Sequence, residues 1–356
     1  FGLGACSKDD DTDADPGTGG ENPNPPVATA EPIDLTTYDS GVGIMMQAFY
    51  WDVEPRFEWW DILSDQVDDW ADVGIDRIWI PVASKGNSGG YSMGYDVSDY
   101  FDFGDYMQHG TIETRFGSRE ELENLIATAH SNDVEVIADI VINHNSGGGE
   151  QYNPYRDEMT YTLFDEEHGN ASGMFNRTFE HFHPNDVSES DREAFFAFQE
   201  TDLDHDVQYV QDWLWNKENS VAKYYKNVMG FDGWRFDYVK GFAPWVIQEW
   251  MDSVGGFAVG EYWDGYSPNL KKWVEESGIS AFDFAAFYEM EKAFDRNEDL
   301  TMLENAMLWK SKPEDAVTFV ANHDTEVNEY EDNMISSEHK LKAYAYILTH
   351  PGYPTI

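Results

Sequence analysis

From residue 41 onward the chain alternates between two hydrophobic patterns: short, nearly uninterrupted apolar runs and longer stretches with apolar residues at helical spacing. An uninterrupted run marks a strand buried on both faces, and the helical spacing marks an amphipathic helix laid over it. Residues 43–51 read as a first strand, and 59–73 as a helix with Trp59, Ile62, Leu63, Val67 and Trp70 on one face. Residues 76–82 form a second strand whose ladder is stopped by Pro81. Ser118 with Glu121 three residues on is a capping box, predicting a helix to about Asn132, and 135–143 is the third strand.

The rhythm then breaks. Residues 145–206 contain Gly147-Gly148-Gly149, scattered His and Asn, and no sustained period, too long a stretch for a simple connection in a compact domain. It reads as a subdomain inserted after strand 3. The alternation resumes with helix 207–228, strand 233–237, helix 244–254, strand 257–263, helix 268–277, strand 280–286, a less regular helical stretch, strand 316–322 and helix 338–349. These make seven strands, and 353–356 begins an eighth. The pattern predicts an α/β fold, a (β/α)8 TIM barrel split into 41–144 and 207–356 by the insert. With strand 8 cut short, the barrel is expected to have an open edge, as a fragment of a longer protein unstable alone.

Composition narrows the partners. Over 356 residues the formal net charge is -47, which repels a phosphate backbone and excludes nucleic acid, while a neutral polymer is indifferent to it. The chain has Trp 13, Tyr 20 and Phe 22, aromatic faces suited either to sugar rings or to core packing. Its one cysteine, Cys6, rules out disulfides within the chain and thiolate zinc clusters. Leu3-Gly4-Ala5-Cys6 resembles a bacterial lipobox, and the acidic Gly/Pro/Asn-rich residues that follow predict a flexible tether over 1–40. The reading is a lipid anchor at Cys6 that holds the protein extracellularly or at the cell surface on the outer membrane; an unpaired thiol in a disordered tail fits the same residues. No apolar run is long enough to span a membrane.

Four of the apolar runs stop on polar chemistry: Ala138–His144 (ADIVINH), Gly233–Gly241 (GWRFDYVKG), Ala258–Trp263 (AVGEYW) and Val317–Asp324 (VTFVANHD). In a parallel barrel these are C-terminal strand ends, where active sites are built. Arg235 and Asp237, two apart, face the same side, and the guanidinium is expected to lower the Asp237 pKa and keep it an ionised nucleophile. A structural ion pair gives the same pattern. Glu261, between Gly260 and Tyr262-Trp263, is in a setting that raises a carboxyl pKa and suits a general acid. Asp324 beside His323 supplies a third acid. Two carboxyls in opposed environments fit retaining cleavage of a glycosidic bond.

In this order, on strands 3, 4, 5 and 7, the segments resemble the conserved regions of the α-amylase family of glycoside hydrolases, most nearly its archaeal and plant type. Gln47–Trp51, Ser92–Asp96, Thr114–Gly117 and Pro351–Ile356 agree with it. The resemblance implies Asp237 as nucleophile, Glu261 as general acid/base and Asp324 as transition-state stabiliser. It implies that Arg235, His144 and His323 bind the reacting glucose, with Tyr95 stacked under it and Asp96 nearby, and that Lys240 and Trp263 line the leaving-group side. It further implies Ca²⁺ between barrel and insert, held by Asn143, Asp191, Asp202 and the Gly241 carbonyl. Asp202–Asp206 starts like an EF-hand loop, but Val207 stands where Gly is needed and Trp213 where Glu would close it, which rules that loop out. Relatives with zinc use a Cys where Asp204 stands here beside His183, so no zinc is expected. The implied activity is that of a monomeric, endo-acting α-amylase on starch, glycogen or maltooligosaccharides. A maltooligosaccharide-forming or transglycosylating relative, and a non-catalytic glucan-binding lipoprotein, are the alternatives.

Overall fold

Eight short parallel strands close into a barrel: β1 (Ile44–Gln47), β2 (Ile75–Trp79), β3 (Glu135–Ile140), β4 (Gly233–Phe236), β5 (Phe257–Gly260), β6 (Ser280–Phe282), β7 (Ala316–Phe319) and β8 (Tyr353–Thr355). The computed structural model describes residues 43–190, 196–296, 298–326 and 335–356; the 1–40 tether with Cys6, and Asp191, lie outside the described residues. Among the described residues no helix is long and apolar enough to cross a membrane.

The expected open edge is corrected. Thr355 pairs with Met45, the Ile356 N–H donates to the Met45 carbonyl at 2.8–2.9 Å along with the return bond from Gln47 N–H to the Ile356 carbonyl, and the ring closes. Three residues suffice because the other barrel strands are also only three to six residues long. The closed ring is plugged at its lower end by Arg77, whose guanidinium lies 4.7 Å from the Phe257 ring and 5.1 Å from the Tyr353 ring, while the Tyr353 hydroxyl donates to Asp76 at 2.7 Å.

Several predicted elements shorten or break. The helix expected over 59–73 is two, Trp59–Ser64 and Val67–Asp72. The one expected over 207–228 divides into Gln208–Asn216 and Val221–Met229, each finishing in a wider π turn, around Ser220. Strand 6 ends at Phe282 because Asp283 turns the chain into a helix, its carboxylate accepting from the Ala286 N–H at 2.9 Å and from the N–H groups of Leu308 and Trp309. The capping box is present: Ser118 accepts from the Glu121 N–H and Glu121 accepts from the Ser118 N–H, opening Arg119–Ser131. Within 145–206 the chain forms an antiparallel hairpin, Gly149–Asn153 with Glu158–Leu163. A second small pair, Lys85–Gly86 with Val97–Asp99, precedes Tyr100, whose hydroxyl donates to the Val141 carbonyl at 2.6 Å and ties that loop to the exit of β3.

Ser118→Ala removes one half of the capping box and should lower the unfolding free energy by about 1 kcal/mol in urea titration. An unchanged midpoint would mean that packing alone fixes this helix start.

Candidate active site

Period-two alternation puts the chemistry inside the barrel mouth. Arg235 on β4 points inward, and so does Asp237 one step beyond it; on β5 Phe257 and Val259 continue to Glu261, and on β3 Ile137 continues to Asp139. Both candidate acids are still tied to the ladder, the Asp237 N–H donating to the Ile140 carbonyl and the Glu261 N–H to the Phe236 carbonyl, each at 2.9 Å. Rigid backbone therefore carries both carboxylates. Glycine before Glu261 is required by packing, since a Cβ on Gly260 would lie 2.2 Å from Trp273.

Arg235 is the hub. Its Nη1 donates to Asp139 Oδ1 at 2.9 Å and to Asp237 Oδ1 at 2.8 Å, and its Nη2 is 2.9 Å from Glu261 Oε1. The other Glu261 oxygen accepts from the Tyr238 N–H at 3.0 Å, and Tyr238 holds the left-handed conformation (φ 44°) while presenting that N–H. Asp139 Oδ2 accepts from Trp79 Nε1 at 3.1 Å and the Tyr95 hydroxyl at 2.8 Å. The Tyr95 oxygen is 2.8 Å from His323 Nε2, and the Gln47 amide donates to His323 Nδ1 at 3.0 Å, which puts the imidazole proton on Nε2. Trp51, Tyr95 and His323 stand nearly parallel, with interplanar angles of 10° or less, and form one aromatic wall.

Asp324 completes the mouth from β7. Its N–H donates to Asn322 Oδ1 at 3.0 Å and its carboxylate lies 3.4 Å from His323 Nε2. With 37% of its side chain exposed against 8% for Glu261, it is the acid nearest solvent.

Burial governs the ionisation. It pushes the Glu261 carboxyl well above the usual range, opposed by Arg235 and reinforced by Asp237 and Asp324. Asp139 and Asp324 are also raised by burial, opposed by Arg235. The expected lowering of Asp237 is corrected: burial raises it, because a guanidinium shared among three carboxylates does not offset the loss of water. One cation facing this many acids favours the uptake of a proton by the cluster, and the upward shift is strongest at Glu261. His323 is lowered to about 3 by burial and Arg235, and His144 to about 4 by burial, so both rings are neutral at pH 7.

The structure thus brings Asp237, Glu261, Asp324, Arg235, His323 and Tyr95 together. His144 lies behind Tyr95, its Nε2 2.9 Å from the Tyr95 carbonyl, and stacks on Phe198 at 4.2 Å. Asp96 holds its own loop, accepting from the Ser88 N–H and hydroxyl at 2.7 Å and from the Ser92 hydroxyl. Lys240, over the Tyr262 ring and 3.8 Å from Asp264, and Trp263, donating to the Tyr288 hydroxyl at 2.8 Å, form the β5 side. On the insert side a cavity of about 660 Å³ is lined by Phe198, Asn145, Tyr161 and Gly147–Gly149. Sequence reasoning missed Asp139, Gln47 and Trp51, although all three stand in segments singled out for their neighbours. The signal for Asp139 was its parity with Arg235, which pairs with it across β3 and β4.

Among the described residues no group of three or more His, Cys, Asp or Glu could hold a metal ion. An oxygen-lined site is another matter: the Asn143 Oδ1 atom is buried with no hydrogen-bond partner, where the Leu203 N–H meets the Asn143 carbonyl and His144 bridges to Asp202. Asp202 is buried there too, and the Gly241 N–H turns back to the Tyr238 carbonyl at 3.0 Å.

The family model for the α-amylase catalytic domain matches residues 60–325. The chain is 27% identical over 372 residues to a glucan 1,4-alpha-maltohexaosidase of Bacillus sp. (strain 707), covering 91% of this chain and 72% of that one. It is 29% identical to an alpha-amylase of Bacillus licheniformis over 88% of this chain and 70% of that one. The alpha-amylase of Geobacillus thermoleovorans, solved in complex with acarbose, shares the fold with a TM-score of 0.60 at 19% identity, over 88% of this chain and 69% of that one.

Arg235→Met leaves the carboxylates without their cation. Carboxyls whose folded pKa is raised favour the fold below their unfolded pKa of about 4 and oppose it as pH climbs through the folded values. Losing Arg235 raises those values further, so the stability deficit should grow with pH, to about 3–5 kcal/mol at pH 8 and less at pH 5, read by urea denaturation. A deficit independent of pH would show that the guanidinium acts by packing rather than by charge.

Proposed function

Because the chain belongs to the α-amylase family, whose catalytic domain is that of a glycoside hydrolase, we propose that it cleaves internal α-1,4 bonds of starch, glycogen and maltooligosaccharides with retention of configuration. The observation that carries this reading is the single guanidinium bound to Asp139, Asp237 and Glu261 in one buried mouth, where Asp237 is ion-paired and burial raises the Glu261 carboxyl well above its usual range.

Asp237 attacks the anomeric carbon as the bond to the leaving oxygen breaks, and Glu261 gives that oxygen its proton. The Glu261 carboxylate then takes a proton from water, which attacks the same carbon and frees Asp237. Arg235 holds both acids through the two steps. Asp324, at the wet edge of the mouth, faces the positive charge that builds on the ring, and the Trp51–Tyr95–His323 wall packs a sugar face. Internal cleavage is supported by the cavity on the insert side of the barrel, which offers room for chain beyond the reacting sugar.

Calcium fits the junction of barrel and insert. The orphaned Asn143 oxygen and buried Asp202 are hard oxygen donors, with the Gly241 carbonyl and Asp191, the latter outside the described residues, as further ligands. The ion would fix the insert to the end of β3 and so hold His144 behind Tyr95. The lipobox-like Cys6 and its tether, also outside the described residues, support a placement on the outer surface of the cell.

Reducing-end release from soluble starch tests the reading. Glu261→Gln should lose about a thousandfold or more in kcat, together with the alkaline limb of the pH profile, since that limb is the deprotonation of Glu261. Asp237→Asn should lose nearly all activity while remaining folded. A folded parent that binds starch and releases nothing would turn the assignment to a glucan-binding protein. For the metal, chelation should lower the thermal midpoint of the parent and leave that of Asn143→Ala unmoved; equal losses in both would remove Asn143 from the site.

A further inference from the structure

The hairpin of the insert has its polarity reversed. Tyr152 pairs with Met159 and Gln151 with Thr160, and neighbours along a strand point to opposite faces. The inward face carries Gln151, Asn153, Thr160 and Thr162, the last three fully buried. Most of its polar groups bond one another and the chain beneath, the buried Asn153 Nδ2 excepted: the Thr160 and Thr162 hydroxyls meet at 2.8 Å, the Gln151 side chain accepts from the Phe179 N–H at 3.0 Å, and Asn153 Oδ1 accepts from the Tyr155 N–H at 2.9 Å. The outward face carries Tyr152, Met159 and Tyr161, exposed by 52%, 54% and 51%. A half-buried strand ordinarily does the opposite, turning its apolar side in.

The rings are also held in place. The Tyr152 hydroxyl donates to Asp157 at 2.7 Å and the Tyr161 hydroxyl to Glu150 at 3.3 Å, which restricts both side chains and lowers the ordering cost of binding. The face continues inward. Tyr161 is a wall of the cavity of about 660 Å³, Phe198 is another, and Phe198 stacks on His144, which braces Tyr95 beside the reacting groups.

We propose that this face, from Tyr152 through Met159 to Tyr161, is a second binding surface for an α-glucan chain, leading it toward the cavity and the catalytic mouth. The inference rests on the glucan reading of the active site. Charge selects the occupant: Glu150, Asp157 and Glu158 are exposed around the rings on a chain of net charge -47, which turns away phosphate polymers and acidic surfaces. A neutral polyhydroxylated chain meets no such penalty, can lay its C–H faces on the rings, and can donate its hydroxyls to the carboxylates.

The test is migration of the whole protein in native gels containing glycogen, with steady-state kinetics on glycogen and on maltopentaose. Tyr152→Ala/Tyr161→Ala should bind glycogen about tenfold more weakly, with KM for glycogen raised more than KM for maltopentaose. Tyr152→Phe/Tyr161→Phe, which keeps the ring faces, should bind nearly as the parent does. If both forms hydrolyse glycogen and the alanine variant is retarded as strongly as the parent, the proposal is overturned. It also falls if light scattering finds a parent dimer that the alanine variant lacks, since the face would then cover a second copy. If the parent hydrolyses nothing, the active-site reading fails alone, and a gel retardation lost only in the alanine variant would still support the hairpin face.

Discussion

Arg235 faces three carboxylates with one positive charge, and the reacting end of the barrel is organised by that shortage. Removing ions from water costs several kcal/mol each even after the surroundings relax, so an incompletely compensated cluster either shifts its protons or opens. Here it cannot open, because Asp237 and Glu261 hang from ladder hydrogen bonds and Asp139 lies within β3. The remaining freedom is protonation. Burial shifts Glu261 upward most strongly, which favours there the protonated form that the proposed reaction requires.

Two further elements follow from the same constraint. Asp139 has its second oxygen occupied by Trp79 and Tyr95, so it accepts Arg235 without becoming available as a base. That leaves Asp237, whose Oδ1 is the atom bound to the guanidinium, as the acid on β4 that the proposed reaction would use. The Tyr95–His323–Gln47 relay extends the order to β1 and β7 and explains why a neutral imidazole is fixed in one tautomer: a charged ring here would compete with Arg235 for the same carboxylates. Barrel closure through β8 matters for this reason. Gln47, which orients His323, also donates its backbone N–H to the Ile356 carbonyl, so the last strand and the aromatic wall are mechanically joined.

Much of this arrangement can be read in the chain, in proportion to how local the physics is. The capping box at Ser118, the inward parity of Arg235 and Asp237, and the apolar runs of β2 to β5 depend on residues a few positions apart, and they appear where expected. Helix breaks at Asp65 and Ser220 escape because they follow from how each segment packs over the barrel, which periodicity does not encode. The sign of the Asp237 shift escapes for a related reason: Arg235 is visible two residues away, but that it also serves Asp139 and Glu261 from neighbouring strands is not. Asp139 itself was hidden within an apolar run, where one acid looks incidental until β4 lies beside it.

The insert shows the limit from the other side. Its residues lack a sustained period because the hairpin alternates polar inward and aromatic outward, a pattern that a search for buried apolar faces passes over. Such a strand pair gains little from hydrophobic burial and holds through its inward hydrogen bonds and its seat on the barrel. The seat is made at the exit of β3, where Asn143, His144 and Asn145 meet Leu203, Asp202 and Thr201 through backbone contacts. One short stretch of chain therefore fixes both the insert and the His144 brace behind Tyr95. Phe198 of the insert stacks on His144, whose Nε2 meets the Tyr95 carbonyl, so the insert and the aromatic wall are joined by direct contacts at the exit of β3.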